Sequence, residues 1–313
     1  MKPLISILTS AYNCEKYITT YINKLLAMTY PKVEIIFIDD GSEDRTKEIL
    51  GENTEKFQKK GYNFKYFYQK NAGQAAALNY ALKKMTGQYF TILDADDFLF
   101  ENCLEERVKT LEADADLGFV VSNGYNYNYP DVKKEAGQIF NEIDERNFFE
   151  KVLKGYYVCN LAYTFRTSIL KKYNPDLDIS TLRAGQNLQI ILPYALHCKM
   201  KYISAPLFGR VNHKDSHSQN AAVDEYERKI IRENEITQII TETLYRDQEA
   251  VTWIPSVYMR EIFSKCLISI AAGEKKQLKK YKKQAIKMYL ELTKQFLNGF
   301  VVIVKAKMKE YIK

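Results

Sequence analysis

The sequence predicts an α/β fold in which a mostly parallel, Rossmann-like central sheet is flanked by helices and followed by a helical C-terminal extension. Apolar runs alternate with helical spacing over roughly the first 125 residues, and these runs are apolar at consecutive positions. Strands that are apolar on both faces are typical of a parallel sheet covered on both sides. Beyond Asn220 no strand pattern follows, and helical spacing continues to the last residue.

Each element of the first half follows from these patterns. The predicted strands are Leu4–Ser10, Val33–Asp40, Phe64–Gln69, Tyr89–Asp97 and Leu117–Asn123. The predicted helices between them are Glu15–Met28, Asp44–Lys60, Gly73–Met85 and Glu101–Ala113.

The pattern is less regular between about Tyr125 and Gln219. Helical spacing recurs at Asp144–Lys154 and Gln186–His197, and short strands are predicted near Leu161–Arg166 and Leu207–Val211. We therefore expect one domain over residues 1–219, with halves at 1–123 and 124–219. A helical region over residues 220–313 follows it.

Composition narrows the class of protein. The 313 residues are 46% hydrophobic and 27% charged, which is enough apolar surface for a sizeable core. The five cysteines form no CxxC pair, which argues against a zinc site or a disulfide framework and favours a reducing compartment. No run reaches the roughly 18 apolar residues of a membrane span. The first residues also lack a signal-peptide pattern, so we expect a cytoplasmic protein.

The net charge of +7 is concentrated at the end of the chain. From Glu274 to Lys313 there are twelve Lys and three Glu, a net charge of +9, so the preceding residues sum to −2. The part of the chain before Glu274 is nearly neutral, which argues against nucleic acid binding by that part. The basic tail needs its own explanation.

Polar side chains follow four of the predicted strands. In a parallel sheet ligands bind at the carboxyl ends of the strands, so these segments converge on one edge. Turns and helix caps would explain any single segment, but four at one edge indicate a site. The segments are Thr9–Asn13, Asp39–Asp44, Gln69–Gly73 and Asp94–Asp97.

Three carboxylates within four positions need a counter-charge. Asp94, Asp96 and Asp97 end the apolar run "GQYFTILDADD". Like charges this close raise one another's pKa, so we expect a positive partner beside them.

Four motifs over roughly Met1–Ser218 resemble the family-two glycosyltransferases with the GT-A fold. They are "PLISILTSAYNCEKYI", "VEIIFIDDGSEDRT", "NAGQAAALNYAL" and "GQYFTILDADD". The resemblance implies an enzyme that moves a sugar from a nucleotide-diphosphate sugar, commonly a UDP-sugar, to a glycan or lipid-linked acceptor. It also implies inversion at the sugar and a role in cell-surface polysaccharide biosynthesis.

The resemblance further implies a donor site with Mn²⁺ or Mg²⁺. Hard cations take oxygen ligands, and the implied ligands are Asp94 and Asp96, with Asp97 as an alternative and His213 as an additional candidate. The residues implied to bind the donor are Thr9, Ala11, Tyr12, Asn13, Glu15, Asp40, Lys70, Asn71, Gly73, Asp94, Ala95 and Asp96.

The sequence departs from the family where a general base is expected. Inverting members use an Asp of an acidic pair, but Gln186 and Asn187 occupy that place, and an amide cannot accept the proton. Three interpretations stay open. In the first, Asn187 positions the acceptor while Asp178, His213 or Asp215 takes the proton. In the second, Asp178 itself occupies the base position. In the third, the site is catalytically weak.

The basic tail allows two interpretations. On helical spacing Leu297, Val301, Val304 and Met308 share a face, with lysines beside it. Such a helix could lie on an anionic membrane surface, which would place the protein at the inner face of the cell membrane. It could equally pack on the body or pair with another chain, as in a homodimer.

Two other classes of protein compete with an enzyme. A non-catalytic protein that binds a nucleotide sugar or a glycan is supported by Asn187 and opposed by the intact carboxylate motif. A basic membrane adaptor would need the tail to act without the pocket.

Overall fold

The computed structural model describes residues 2–182, 184–213, 225–248 and 250–311, and side chains as far as Lys294 except that of residue 293. The chain divides into two compact units, Met1–Asn220 and Ala221–Lys313.

The first unit begins with four parallel strands in the spatial order β3-β2-β1-β4. Every residue of β2 is buried, as is almost all of β1, because helices cover both faces of the sheet. The predicted α/β class is confirmed. The elements are β1 (Ile5–Ala11), α1 (Glu15–Ala27), β2 (Val33–Asp39), α2 (Thr46–Lys59), β3 (Asn63–Tyr68), α3 (Gln74–Lys84) and β4 (Tyr89–Ile92).

The sheet continues beyond β4 with mixed direction. The order is β3-β2-β1-β4-β8-β6-β9-β5, and β7 pairs with β6. Strand β8 is antiparallel to both β4 and β6, whereas β9 is parallel to β6. These elements are β5 (Phe98–Leu99), α4 (Cys103–Ala113), β6 (Leu117–Asn128), β7 (Asp131–Gln138), α5 (Phe148–Leu153), β8 (Tyr163–Arg166), α6 (Thr167–Tyr173), α7 (Gln186–His197) and β9 (Lys199–Asn212).

Several elements differ from the sequence prediction, among them β5 and α6, which were not predicted, and three of the differences have a clear structural reason. The fourth strand ends at Ile92 rather than Asp97, because the carboxylates form a turn closed by the bond from the Asp97 N–H to the Asp94 carbonyl (3.1 Å). Strand β9 has 14 residues because it pairs along the whole of β6. Strand β7 was not predicted because its polar, exposed sequence has no apolar alternation.

A buried arginine joins the two halves of this sheet. The guanidinium of Arg107 on α4 is fully buried and donates to the Ser122 hydroxyl (2.7 Å) and the Leu161 carbonyl (2.5 Å). It also donates to the Tyr163 carbonyl (3.3 Å). Burial lowers the pKa of Arg107, but these acceptors satisfy the charge and fix α4 against β6 and β8.

The second unit is helical, as predicted for the C-terminal extension. It contains α8 (Glu225–Tyr245), α9 (Ile254–Ala271) and α10 (Lys275–Tyr311), and α9 packs against both of the others. Gly273 turns the chain between α9 and α10 with φ of 73°, a conformation that favours glycine. None of the helices within the described ranges is long and apolar enough to cross a membrane.

A buried carboxylate fastens the first three strands. Glu34 on β2 accepts from the Ser6 hydroxyl (2.7 Å), the Thr86 N–H (2.8 Å) and Lys65 Nζ (2.5 Å). Burial alone would raise the pKa of Glu34, but the bonds from Lys65, Ser6 and Thr86 outweigh burial and lower it below the ordinary 4.5.

We expect Glu34→Gln to reduce the free energy of unfolding at pH 7 by about 2 kcal/mol, since the amide loses the charge-assisted bonds. A lowered pKa stabilises the fold above pH 4.5 and is lost as pH falls through the folded-state value. The gap between the wild type and Glu34→Gln should therefore narrow on acidification. Urea unfolding at pH 7 and in mild acid checks this, and a gap independent of pH would contradict it.

Candidate functional site

Three carboxylates lie in the turn between β4 and β5, at the carboxyl edge of the parallel strands. Asp97 is 6% exposed, and its Oδ1 accepts the N–H of Val211 on β9 (2.6 Å). Asp94 and Asp96 are half-buried. The turn from Asp94 to Asp97, called the carboxylate turn below, is the centre of the candidate site.

The carboxylate turn carries more negative charge than its surroundings balance. Burial and the charge of Asp96 raise the pKa of Asp94 to about 7. Burial and the charges of Asp96 and Asp94 raise the pKa of Asp97 well above its usual range, although the Val211 N–H and Arg210 oppose this. A cation at the turn would relieve the repulsion.

A glutamine bridge connects two helix N-termini to this turn. Gln74, the first residue of α3, donates from Nε2 to Asp94 Oδ1 (3.0 Å). Gln186, the first residue of α7, donates from Nε2 to Gln74 Oε1 (3.3 Å). Gln74 is not among the donor-binding residues that the sequence implied. Its position directly after the polar segment Gln69–Gly73 could have indicated it.

A histidine bridge fixes the other side of the turn. His213, which follows β9, contacts Asp96 Oδ2 through Nε2 (2.7 Å) and the Tyr17 hydroxyl through Nδ1 (3.0 Å). The Tyr17 ring also lies against the His213 ring, with centroids 4.4 Å apart. The structure thus brings His213 to the carboxylates, and Tyr17 on α1 is a member that the sequence did not indicate.

The loops after β1 and β2 are tied to each other. Asn13 has a left-handed backbone (φ 50°), donates from its N–H to the Ser42 hydroxyl (3.0 Å) and accepts from the Glu43 N–H (2.8 Å). Glu15 accepts from the Arg45 N–H (3.1 Å). Tyr12, the residue after β1, is 51% exposed, so its aromatic ring is accessible to a ligand.

Asp40 holds the loop that precedes α3. Its Oδ1 accepts from Gln69 Nε2 (2.7 Å) and the Ala72 N–H (2.9 Å), and its Oδ2 accepts from the Gly73 N–H (2.8 Å). The neighbouring Gly41 has φ of 83°, and a Cβ there would lie 2.7 Å from the Asn71 nitrogen. The loop therefore packs closely on β2, while Lys70 and Asn71 remain exposed. A direct contact of Asp40 with a ligand stays a prediction.

Three implied donor-binding residues form the wall of the site rather than its polar surface. Thr9 is fully buried, and its hydroxyl is hydrogen-bonded to that of Tyr21 (2.7 Å). Ala11 and Ala95 are buried as well. Their contribution to ligand binding stays a prediction.

The base candidates are separated in space. Asn187 is near the start of α7, and its Oδ1 accepts from Asn160 Nδ2 (2.7 Å). Asp178 is exposed and pairs with Lys83 (3.2 Å), which lies about 13 Å along α3 from Gln74. The structure therefore does not bring Asp178 into contact with the carboxylate turn. Asp215 lies outside the described residues.

The donor atoms suit a hard cation, but they do not form a closed cage. Among the described residues, no group of three or more His, Cys, Asp or Glu side chains has the geometry to hold a metal ion. Asp94 and Asp96 offer carboxylate oxygens of the kind that Mg²⁺ and Mn²⁺ accept. Burial and the charge of Asp96 raise the pKa of Asp94, and a cation beside it would oppose that rise. An ion here would need further oxygen ligands from water or from a bound molecule.

Curated relatives match the first part of the chain. Glycosyltransferase GlyG of Streptococcus pneumoniae is 37% identical over 133 residues, which are 42% of this chain and 42% of GlyG. Glycosyltransferase GlyA of the same organism is 32% identical over 149 residues, which are 47% of this chain but 20% of GlyA. The chain thus spans well under half the length of these relatives.

Solved structures match over most of the chain. TarS of S. aureus in complex with UDP-GlcNAc has a TM-score of 0.61 and 18% identity, covering 95% of this chain and 92% of TarS. The mannosyltransferase PcManGT from Pyrobaculum calidifontis, in complex with GDP-Man and Mn²⁺, has a TM-score of 0.54 and 17% identity. It covers 92% of this chain and 85% of PcManGT. At these identities the likeness establishes the fold.

The family assignment rests on the matched segment and on what it contains. The model of glycosyl transferase family 2 matches residues 6–174. That segment exceeds half of the chain and includes the four parallel strands and the carboxylate turn. The chain belongs to glycosyl transferase family 2 and has the GT-A fold.

Proposed function

We propose that this protein transfers a sugar from a UDP-sugar to a glycan or lipid-linked acceptor, with inversion, during the synthesis of a cell-surface polysaccharide. The carboxylate turn carries the proposal, because Gln74, His213 and β9 hold it in place at the carboxyl edge of the strands in a family-two fold. A turn with raised pKa values and two half-buried carboxylates is suited to a cation and a diphosphate.

The donor is proposed to lie along the ends of β1, β2 and β4. Tyr12 would pack against the base, and the loop held by Asp40 would present Lys70, Asn71 and Gly73 to the nucleotide. UDP is favoured because TarS is in complex with UDP-GlcNAc, and the GDP-Man in PcManGT makes GDP the first alternative.

Asp94 and Asp96 are proposed to hold Mn²⁺ or Mg²⁺. When bound, the ion neutralises charge that develops on the leaving diphosphate. The chain's own residues position this pair, since Gln74 holds Asp94 and His213 holds Asp96. Asp97 is proposed to brace the turn rather than to bind the ion, because it is buried and bonded to Val211.

Asn187 is proposed to position the acceptor and not to remove its proton. Its Oδ1 already accepts from Asn160, which leaves its Nδ2 as a donor toward the acceptor. Asp178 is exposed beside Lys83, which argues against it as the base. The remaining candidates are His213 and Asp215. We therefore expect His213→Ala or Asp215→Asn, but not Asp178→Asn, to abolish transfer. Donor binding should persist in Asp215→Asn, whereas His213→Ala should also weaken Mn²⁺-dependent donor binding because Asp96 loses its partner.

The second candidate function is a non-catalytic protein that binds a nucleotide sugar. Gln186 and Asn187 favour it, since both are amides occupied in hydrogen bonds. Slow hydrolysis of the bound donor in the absence of an acceptor separates the two functions, because only a transferase would cleave the sugar–phosphate bond.

The first test is a thermal-shift panel of UDP-, GDP-, dTDP- and CDP-sugars with and without Mn²⁺. A donor at about 100 times its Kd should add about 2.7 kcal/mol of stability, and we expect UDP-sugars to do so only with Mn²⁺. Asp96→Asn should abolish this dependence because it removes a proposed ligand. Asp176→Asn, which changes an exposed carboxylate elsewhere, is the matched control. Full Mn²⁺-dependent binding by Asp96→Asn would refute the metal assignment.

The glutamine bridge gives a separate prediction. Gln74→Ala should weaken Mn²⁺-dependent donor binding by about 1–2 kcal/mol, because Asp94 loses its hydrogen-bond donor. Gln186→Ala should have a smaller effect, because Gln186 contacts Asp94 only through Gln74. If Gln186 acts only through Gln74, the double variant Gln74→Ala/Gln186→Ala should bind the donor as tightly as Gln74→Ala alone. Calorimetric titration measures all three, and strictly additive losses would contradict a shared bridge.

A further inference from the structure

Helix α9 exposes a row of large apolar side chains. Phe263, Leu267 and Ile270 are spaced by four and three residues, so they lie on one face of the helix. Phe263 is 66% exposed, and the other two are more than half exposed. The row lies on the side of α9 opposite Lys265, whose Nζ is 5.9 Å from the centre of the Tyr281 ring on α10, so it faces away from α10.

Helix α10 combines such a row with positive charge. Lys279, Lys283, Ile286 and Leu290 are spaced by four, three and four residues, so they share one face, and all four are exposed. Tyr281, on the opposite side of the helix, is buried. The same spacing continues to Leu297, Val301, Val304 and Met308. Lys279, Lys283, Ile286 and Leu290 are therefore on the exposed face of α10 and not on the face that packs.

The charge of this region decides between two kinds of occupant. A second copy of the chain would bring together two segments that each carry twelve Lys and three Glu, and like charges disfavour that contact. An anionic lipid surface has the complementary charge and also an apolar layer beneath its headgroups.

We propose that the exposed face of α10 that carries Lys279, Lys283, Ile286 and Leu290, here called the basic apolar face, binds an anionic lipid surface. Ile286 and Leu290 enter the boundary between headgroups and acyl chains. Lys279, Lys283 and their neighbours contact lipid phosphates. The helix lies in the plane of the surface.

The test is co-sedimentation of the full chain with vesicles of phosphatidylglycerol and phosphatidylcholine, compared with vesicles of phosphatidylcholine alone. We expect binding only to the anionic vesicles, and weaker binding as salt is added. Lys279→Gln/Lys282→Gln/Lys283→Gln should lower the partition coefficient about 100-fold. Ile286→Ser/Leu290→Ser should lower it about tenfold, because less apolar surface enters the lipid.

Matched controls separate surface binding from total charge. The matched control removes the same charge from exposed positions on α2 and from the residue after it, in the variant Lys47→Gln/Lys56→Gln/Lys60→Gln. This variant should bind anionic vesicles as the wild type does. Equal losses in both triple variants would overturn the proposal, as would no binding to anionic vesicles. A stable dimer in sedimentation equilibrium that Ile286→Ser/Leu290→Ser dissociates would assign the face to a second copy. Lipid binding is measured without a sugar donor, so its failure is distinct from failure of the proposed glycosyl transfer.

Discussion

Repulsion among Asp94, Asp96 and Asp97 is the constraint on which the rest of the site depends. Burial and the charge of Asp96 raise the pKa of Asp94 to about 7, and burial with the charges of Asp96 and Asp94 raises the pKa of Asp97 well above its usual range. Gln74 of α3 holds Asp94, while the end of β9 holds the other two, through the Val211 N–H on Asp97 and His213 on Asp96. The surrounding hydrogen bonds thus keep the three carboxyl groups close together. This arrangement would attract a cation.

The neighbouring loops are held by the same kind of contact. Asp40 accepts three hydrogen bonds from the loop before α3, and Asn13 and Glu15 tie the loop after β1 to the loop after β2. These bonds fix backbone positions before any ligand arrives, which reduces the ordering that binding would require. Many of the polar residues at this edge therefore shape the site, and Tyr12, Lys70 and Asn71 are left exposed to contact a ligand.

The second unit differs from the first in exposing large apolar side chains. The first unit buries its apolar residues on both faces of a sheet, whereas α10 leaves Ile286 and Leu290 exposed beside lysines. Exposed apolar area lowers solubility unless a partner covers it. The net charge of +9 over Glu274–Lys313 favours an anionic partner. Binding to a lipid surface would also bring the proposed transfer reaction close to a lipid-linked acceptor.

The sequence by itself determined the α/β class, the alternation of β1 to β4 with helices, the full extent of α7, and the convergence of four polar segments. These depend on local periodicity and on the rule that parallel strands end at one edge. Only the tertiary structure decided that β4 stops at Ile92, that Gln74 and Tyr17 contact the site, and that Asp178 lies beside Lys83. The physical reason is that these outcomes rest on contacts between residues distant in the chain, such as Tyr17 and His213. No local pattern records such contacts, because the intervening strands and helices place them together only when the sheet is complete.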